Sequence, residues 1–268
     1  MRRLGGALLI ALLAQGCDDG GGEAAQSGDA GPVADAGEPF ACNVAKRRAE
    51  LTDPPALLAC DGAPETVTVG SLEVFKYEAS HPLASADVAF PCADEREVDF
   101  AAPEVPTEPC SLAGVRPWHT VKWEDADAAC KAIGWRLCSS AELVRTCGGE
   151  EGFTFAYGGT FQAGKCNVRE AFRPEGAETA SEAPTGYFTE CESPSGAFDV
   201  NGNLWEWTND RDEADSRARQ YQGAGWRTIA QRHQDANQAC GTETLLRGFS
   251  APSFANRDVG FRCCRSAQ

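Results

Sequence analysis

The stretch Asp199-Val200-Asn201-Gly202-Asn203-Leu204-Trp205-Glu206-Trp207 sets a tryptophan on each side of an acid. In an extended segment alternate residues share a face, so both indoles point one way and the carboxylate the other. Two core tryptophans beside a surface acid follow from the residues alone. The opening of this stretch is like a calcium loop, but Leu204 stands where an EF-hand needs its glycine, which excludes an EF-hand. Upstream, Ala126, Ala129, Cys130 and Ile133 recur with helical period behind Trp123, and Gly134 supplies a left-handed cap. Ser139-x-x-Glu142 is a capping box that opens a second helix, with Leu143, Val144 and Cys147 inward and Gly148-Gly149 as the stop. Val67 to Tyr77 alternates as one strand, and the Pro-rich stretch 79–117 is loop-like. Beyond the second helix the chain is rich in Gly, aromatics and Cys, without a helical period.

Several of these strings keep a fixed order: Trp123-Glu124-Asp125-Ala126, Arg136-Leu137-Cys138-Ser139-Ser140-Ala141-Glu142-Leu143, Tyr157-Gly158, Cys166-Asn167, Ala183-Pro184-Thr185-Gly186, Gly202-Asn203-Leu204-Trp205-Glu206-Trp207, and Gly260-Phe261-Arg262-Cys263-Cys264. Together they resemble the formylglycine-generating enzyme, or sulfatase-modifying factor, family. Phe75-Lys76-Tyr77-Glu78-Ala79-Ser80 is similar to that family's early strand, so the resemblance spans a core of 67–265 within a domain of 40–268. It implies an α+β, irregular and disulfide-rich domain, the formylglycine-generating-enzyme-type variant of the C-type-lectin fold.

The resemblance also implies structural Ca²⁺. One site would use Asp199, the carbonyls of Gly202 and Leu204, and Glu206, an oxygen-only set suited to a hard cation. A second would use Asn167, the Val168 carbonyl and an acid before Ala183-Pro184, where Glu178 lies one residue out of register and Glu182 is the other acid of the stretch. In the enzymes of the family two cysteines five residues apart hold copper. Counted from Arg247-Gly248 their places are Ser253 and Asp258, and a hydroxyl and a carboxylate do not hold Cu(I), so no copper and no oxidase chemistry are expected. A histidine-bound iron is not expected either: His81, His119 and His233 show no ligand spacing, and each reads as a surface or hydrogen-bonded residue.

The amino terminus has a basic head, Met1-Arg2-Arg3, an apolar run from Leu4 to Ala14, and then Cys17, similar to a bacterial lipoprotein signal. Residues 1–16 are predicted as a signal peptide, Cys17 as the lipidated residue, and 17–39 as a flexible tether, since residues 18–39 hold six Gly and no aromatic. The expected location is the cell envelope, with the membrane engaged through the N-terminal lipid; plain secretion is the alternative. A formal charge of −16 repels phosphate backbones, so nucleic acid is not an expected partner.

Thirteen cysteines suit an oxidising compartment, and without Cys17 the remaining twelve can all pair. No C-x₂₋₄-C knuckle suggests zinc. The candidates are Cys42 with Cys60, Cys92 with Cys110, Cys147 with Cys166, and Cys191 with Cys240. Adjacent strand residues face opposite ways, so Cys263 and Cys264 take different partners. The resemblance gives them Cys130 and Cys138, in an order left open. The function expected is a non-catalytic binding or scaffold module for a protein or glycan ligand. The alternative is an enzyme using another residue set, for which Trp226, Arg227, His233 and the acidic loop Asp210 to Asp215 are the local candidates.

Overall fold

In a computed structural model of the chain, residues 59–86, 107–177, 179–211, 217–227, 239–241, 243–246 and 254–267 are described. The expectations for Cys17, Cys42, Cys92, Glu178, His233 and Ser253, and for residues 1–39, lie outside them. The elements are β1 (Thr66–Val69), β2 (Leu72–Phe75), α1 (Trp123–Ala132), β3 (Arg136–Leu137), α2 (Ser140–Gly148), β4 (Trp205–Trp207), β5 (Arg219–Gln222), β6 (Glu243–Leu246), β7 (Val259–Phe261) and β8 (Cys263–Ser266). They build two four-stranded sheets, ordered β1-β2-β8-β3 and β6-β5-β4-β7, with β4 and β7 parallel and the other pairs antiparallel. This is the α+β, irregular and disulfide-rich architecture that the resemblance implies.

The single strand expected over residues 67–77 is instead a hairpin. Val69 pairs with Leu72, and the chain reverses at Gly70 with φ 65°. The alternating pattern continues through the turn, which hides the reversal from periodicity. Both helices form as expected. Ser139 accepts from the Glu142 N–H while the Glu142 carboxylate accepts from the Ser139 N–H, the complete capping box. Val144, expected inward, is 38% exposed, because Leu143 and Cys147 define the buried line one turn apart and Val144 falls on its flank.

Strands β7 and β8 are separated by one residue, Arg262, so the last strand of one sheet runs directly into the other sheet. Around this joint lies the larger core cluster: Phe75, Trp118, Trp123, Trp135, Leu137, Trp205, Trp207, Tyr221 and Phe261. Gly260 sits in register with Glu206, where a side chain would strike Leu204 Cδ1 at 2.6 Å and the Trp118 carbonyl at 2.8 Å, so only glycine lets β7 lie against β4.

All ten cysteines among the described residues are paired. Cys130 joins Cys263 and Cys138 joins Cys264, which fixes the order left open and ties α1 and the end of β3 to the last strand. The other pairs correct the sequence expectation. Cys60 joins Cys110, because the reciprocal bridge of Ser80 with Cys110 and the Glu65 N–H to Ser111 carbonyl bond lay the two segments side by side. That excludes Cys42 with Cys60 and Cys92 with Cys110. Cys147 joins Cys240, where the Cys240 N–H bonds the Thr154 carbonyl just past α2, and Cys166 joins Cys191. Cys147 with Cys166 and Cys191 with Cys240 are thereby replaced; tertiary docking, rather than nearness in sequence, selects the partners.

Candidate functional site

The Asp199 to Trp207 stretch is built residue by residue for a close approach. Gly202 has φ 101°, and a Cβ there would meet Val168 Cγ1 at 2.9 Å and the Asn167 carbonyl at 3.0 Å. Asn203, left-handed at φ 58°, donates to Glu78 Oε2 at 2.6 Å and accepts from the Ala183 N–H at 2.8 Å. The Leu204 N–H bonds Glu78 Oε1 at 2.8 Å. Trp205 and Trp207 share one face as expected, each packing on Tyr221 at 5.4 Å between ring centroids. The Trp207 Nε1–H bonds the Val121 carbonyl at 2.9 Å.

Glu206 points to the other face, but it is no surface acid. It is 2% exposed and meets Arg262, whose Nη2 lies 2.9 Å and whose Nε lies 3.1 Å from Oε1. The same guanidinium donates to the Phe75 carbonyl at 2.8 Å and the Phe198 carbonyl at 2.7 Å. Two more carboxylates share this interior. Burial pushes the Glu78 carboxyl well above the usual range, and Asp199 and Glu206 push it further. Burial raises Asp199 to about 6, although the Gly186 N–H at 2.6 Å on Oδ2 and Arg262 work against it. Glu206 is raised by burial too, with Arg262 opposing.

Three buried carboxylates therefore face one guanidinium. Buried charge without a counter-charge is costly, and the raised pKa of Glu78 relieves part of the imbalance by favouring its protonated form. Among the described residues no three His, Cys, Asp or Glu side chains converge on a metal position. Of the first expected set, Asp199 Oδ2 accepts from the Gly186 N–H and both Glu206 oxygens accept from Arg262, so a cation there would share these oxygens with those donors. At the second expected site Asn167 is fully buried and already committed. Its Oδ1 accepts from the Phe172 N–H at 3.0 Å, and its Nδ2 donates to the Ser181 carbonyl at 3.0 Å and Asn203 Oδ1 at 2.9 Å. A cation there would share Oδ1 with the Phe172 N–H. Val168 follows it as a buried residue.

Of the residues suggested for an alternative enzyme, Arg227 is exposed, and His233 and residues 212–215 lie outside the described residues. Asp210 accepts from the Ser140 N–H at the start of α2, while Trp226 is buried and its Nε1–H bonds the Arg257 carbonyl at 3.4 Å. His81 and His119 take the hydrogen-bonded alternative rather than the surface one: each is 3% exposed, and His119 Nδ1 lies 2.8 Å from Thr120 Oγ1. His81 Nδ1 accepts from the Leu83 N–H at 3.1 Å, and burial lowers its pKa to about 3. The sequence reading missed a second buried charge cluster, in which Glu182 stands 3.4 Å from Arg116, 3.8 Å from His119 and 3.7 Å from Arg257. No periodicity or spacing links residues 116, 119, 182 and 257; the only signal is an acid immediately before Ala183-Pro184.

The model of the sulfatase-modifying factor enzyme 1-like domain matches residues 65–267, spanning both sheets and every element above. The chain belongs to this sulfatase-modifying factor family. Its sulfatase-modifying factor domain is similar to the inactive Cα-formylglycine-generating enzyme 2 of Bos taurus, 31% identical over 153 residues, covering 55% of this chain and 49% of that protein. The protein of the same name from Mus musculus is 29% identical over 153 residues, covering 55% of this chain and 48% of the relative. The chain thus spans about half the length of the curated relatives it matches. Among solved structures it is similar to PvdO from Pseudomonas aeruginosa, with 17% identity, 77% of this chain and 85% of that chain covered, and a TM-score of 0.49.

Proposed function

We propose that this sulfatase-modifying factor domain is a non-catalytic recognition or scaffold module, carried on a lipid-anchored protein of the cell envelope and stiffened by structural Ca²⁺. The observation that carries the reading is the cysteine arrangement. No two cysteines anywhere in the sequence stand five residues apart, and every cysteine among the described residues is locked in a disulfide. A Cu(I) centre needs soft thiolates, which disulfide sulfurs do not supply. Two proteins similar to this chain are named as inactive, which supports the same reading.

Five disulfides support an oxidising, extracytoplasmic compartment. No helix among the described residues is long and apolar enough to cross a membrane. The proposed anchor is the lipid on Cys17. The Ca²⁺ ligands would be Asp199, Glu206 and the two carbonyls, and the ion would offset the surplus carboxylate charge and hold the Trp205-Glu206-Trp207 segment in place.

Competition of the folded protein against a Cu(I) chelator tests the reading. The expected result is that the chelator keeps the metal; stoichiometric Cu(I) uptake that survives alkylation of free thiols would overturn it. Cys17→Ser should shift the protein from the membrane to the soluble fraction, and unchanged membrane association would overturn the anchor.

A further inference from the structure

Tyr187 is 59% exposed, against 38% for Val144 and Phe153, the other exposed large hydrophobic residues among those described. It does not stand alone on the surface. Its ring centroid lies 4.8 Å from that of Phe172 and 5.3 Å from that of Phe188, both edge-to-face, and these two neighbours are half-buried. Scattered single apolar residues are ordinary on a protein surface, whereas a contiguous group rimmed by polar residues marks an interaction surface.

The three rings are fixed in place by their backbone. The Phe172 N–H donates to Asn167 Oδ1 at 3.0 Å, its carbonyl accepts from the Ser181 N–H at 3.2 Å, and the guanidinium carbon of buried Arg116 lies 5.4 Å from its ring centroid. The turn that carries Tyr187 is bonded along its length: the Tyr187 N–H to the Pro184 carbonyl at 3.0 Å, the Gly186 N–H to Asp199 Oδ2 at 2.6 Å, and the Cys191 N–H to the Phe188 carbonyl at 2.8 Å. Gly186 has φ 70°, and a Cβ there would meet Tyr77 Cε1 at 2.8 Å, so the turn sits tightly on the core. The Cys166–Cys191 disulfide and the Lys165–Glu190 ion pair at 2.6 Å join the segment before Phe172 to the segment after Tyr187. Aromatic groups ordered in advance lose little conformational entropy when a partner lands on them.

Charge then selects the partner. Among the exposed, described residues of the stretch 169–192, Glu170, Glu175, Glu190 and Glu192 are acids and Arg173 alone is a base. Lys165 answers Glu190, while Glu170, Glu175 and Glu192 form no ion pair among the described residues. The chain as a whole carries −16. Such a surface repels phosphates and anionic lipids and draws in cations. The open face of an aromatic ring adds an attraction of its own for a cation, because its quadrupole is negative there. We propose that the Phe172, Tyr187 and Phe188 rings dock a basic segment of a partner protein, with a Lys or Arg side chain laid on the Tyr187 ring and the acids at the rim. This docking surface rests on the reading of the domain as a recognition module and gives that module a class of partner. Tyr187 has no part in the Cu(I) competition, so a failure of the one is told apart from a failure of the other.

Isothermal titration of the full chain at physiological ionic strength with a peptide of alternating arginine and glycine tests this, beside the same peptide with every arginine replaced by glutamine. The arginine peptide should bind, and the glutamine peptide should be at least about tenfold weaker. Tyr187→Ala should weaken the arginine peptide about threefold to fivefold, the size of one exposed cation–π contact, with the melting temperature unchanged, and Tyr187→Phe should keep wild-type affinity. Phe153→Ala removes an exposed ring outside this group and should leave the affinity as it is. Absence of heat with the arginine peptide, or equal binding of the glutamine peptide, would overturn the proposal. So would a folded Tyr187→Ala protein with wild-type affinity, which would reduce the binding to diffuse attraction by an acidic chain, or Tyr187-dependent binding of the neutral oligosaccharide cellohexaose, which would make the rings a glycan platform. The peptide and oligosaccharide comparisons on the unaltered chain stand even where a variant does not fold.

Discussion

Arg262 and Glu206 form an ion pair in the interior, 0% and 2% exposed, with Arg262 Nη2 2.9 Å from Glu206 Oε1. Arg262 is the one residue between β7 and β8, so the pair sits where one sheet passes into the other. Because Glu78 and Asp199 share the space, the two partners are not equivalent. Removing the guanidinium leaves Glu206 and Asp199 without their counter-charge beside the raised Glu78 carboxyl, whereas neutralising Glu206 lessens the negative charge that Arg262 offsets. Arg262→Met should therefore cost about 3–5 kcal/mol in urea denaturation, and Glu206→Gln distinctly less. Equal costs, or a larger one for Glu206→Gln, would show that the surplus charge is compensated in another way.

Calcium should act on the same place. Starting from chelator-treated protein, added Ca²⁺ should raise the melting temperature by mass action, with a dissociation constant of roughly 10⁻⁴ to 10⁻³ M as for extracellular modules. Asp199→Asn and Glu206→Gln should blunt that rise, and Glu213→Gln, in the acidic stretch 210–215, should leave it unchanged. A melting temperature indifferent to Ca²⁺ and to chelator would reduce the cluster to its pairing with Arg262.

The capping box sets part of the acid response. Burial acts to raise the Glu142 pKa, but the paired bonds from Arg136 at 2.7 and 2.6 Å and the Ser139 N–H at 2.8 Å prevail and hold it below its ordinary 4.5. A carboxylate with a depressed folded pKa contributes stability that is present above the ordinary value and is lost as pH falls through the folded one. Glu142→Gln should thus cost about 1 kcal/mol at neutral pH and progressively less below pH 4.5, as followed by urea titrations across that range. A cost independent of pH would assign the effect to packing.

Peptide mapping without reduction should recover Cys60 with Cys110, Cys147 with Cys240 and Cys166 with Cys191. Replacing Cys130 and Cys263 together by serine should cost about 2–5 kcal/mol, since that bridge closes a sequence separation of 133 residues. Recovery of Cys42 with Cys60 would contradict the docking of segment 107–111 beside residues 60–66.

Local chemistry was legible in the sequence, and distant partnership was not. Ser139 and Glu142 announce the start of α2 because a capping box is complete within four residues, and alternation alone puts Trp205 and Trp207 on one face. Alternation also sends Glu206 to the opposite face, but not to Arg262, which is 56 residues away in sequence. Nothing near Glu206 distinguishes a solvated acid from a buried one. The same limit explains the cysteines: Cys60 has its partner chosen by a strand-like bridge at Ser80 and Cys110, a contact without a spacing rule. The Glu182 cluster draws on residues 116, 119, 182 and 257, which only the folded chain brings together.

The most direct test of the non-catalytic reading is incubation of the purified, copper-supplied full chain with a cysteine peptide from a sulfatase under air, with mass spectrometry and aldehyde labelling of the peptide. The cysteine should remain unconverted while an active formylglycine-generating enzyme run in parallel converts it. Aldehyde formation that depends on the folded chain would contradict the account, and would place an oxidase centre in residues other than a cysteine pair.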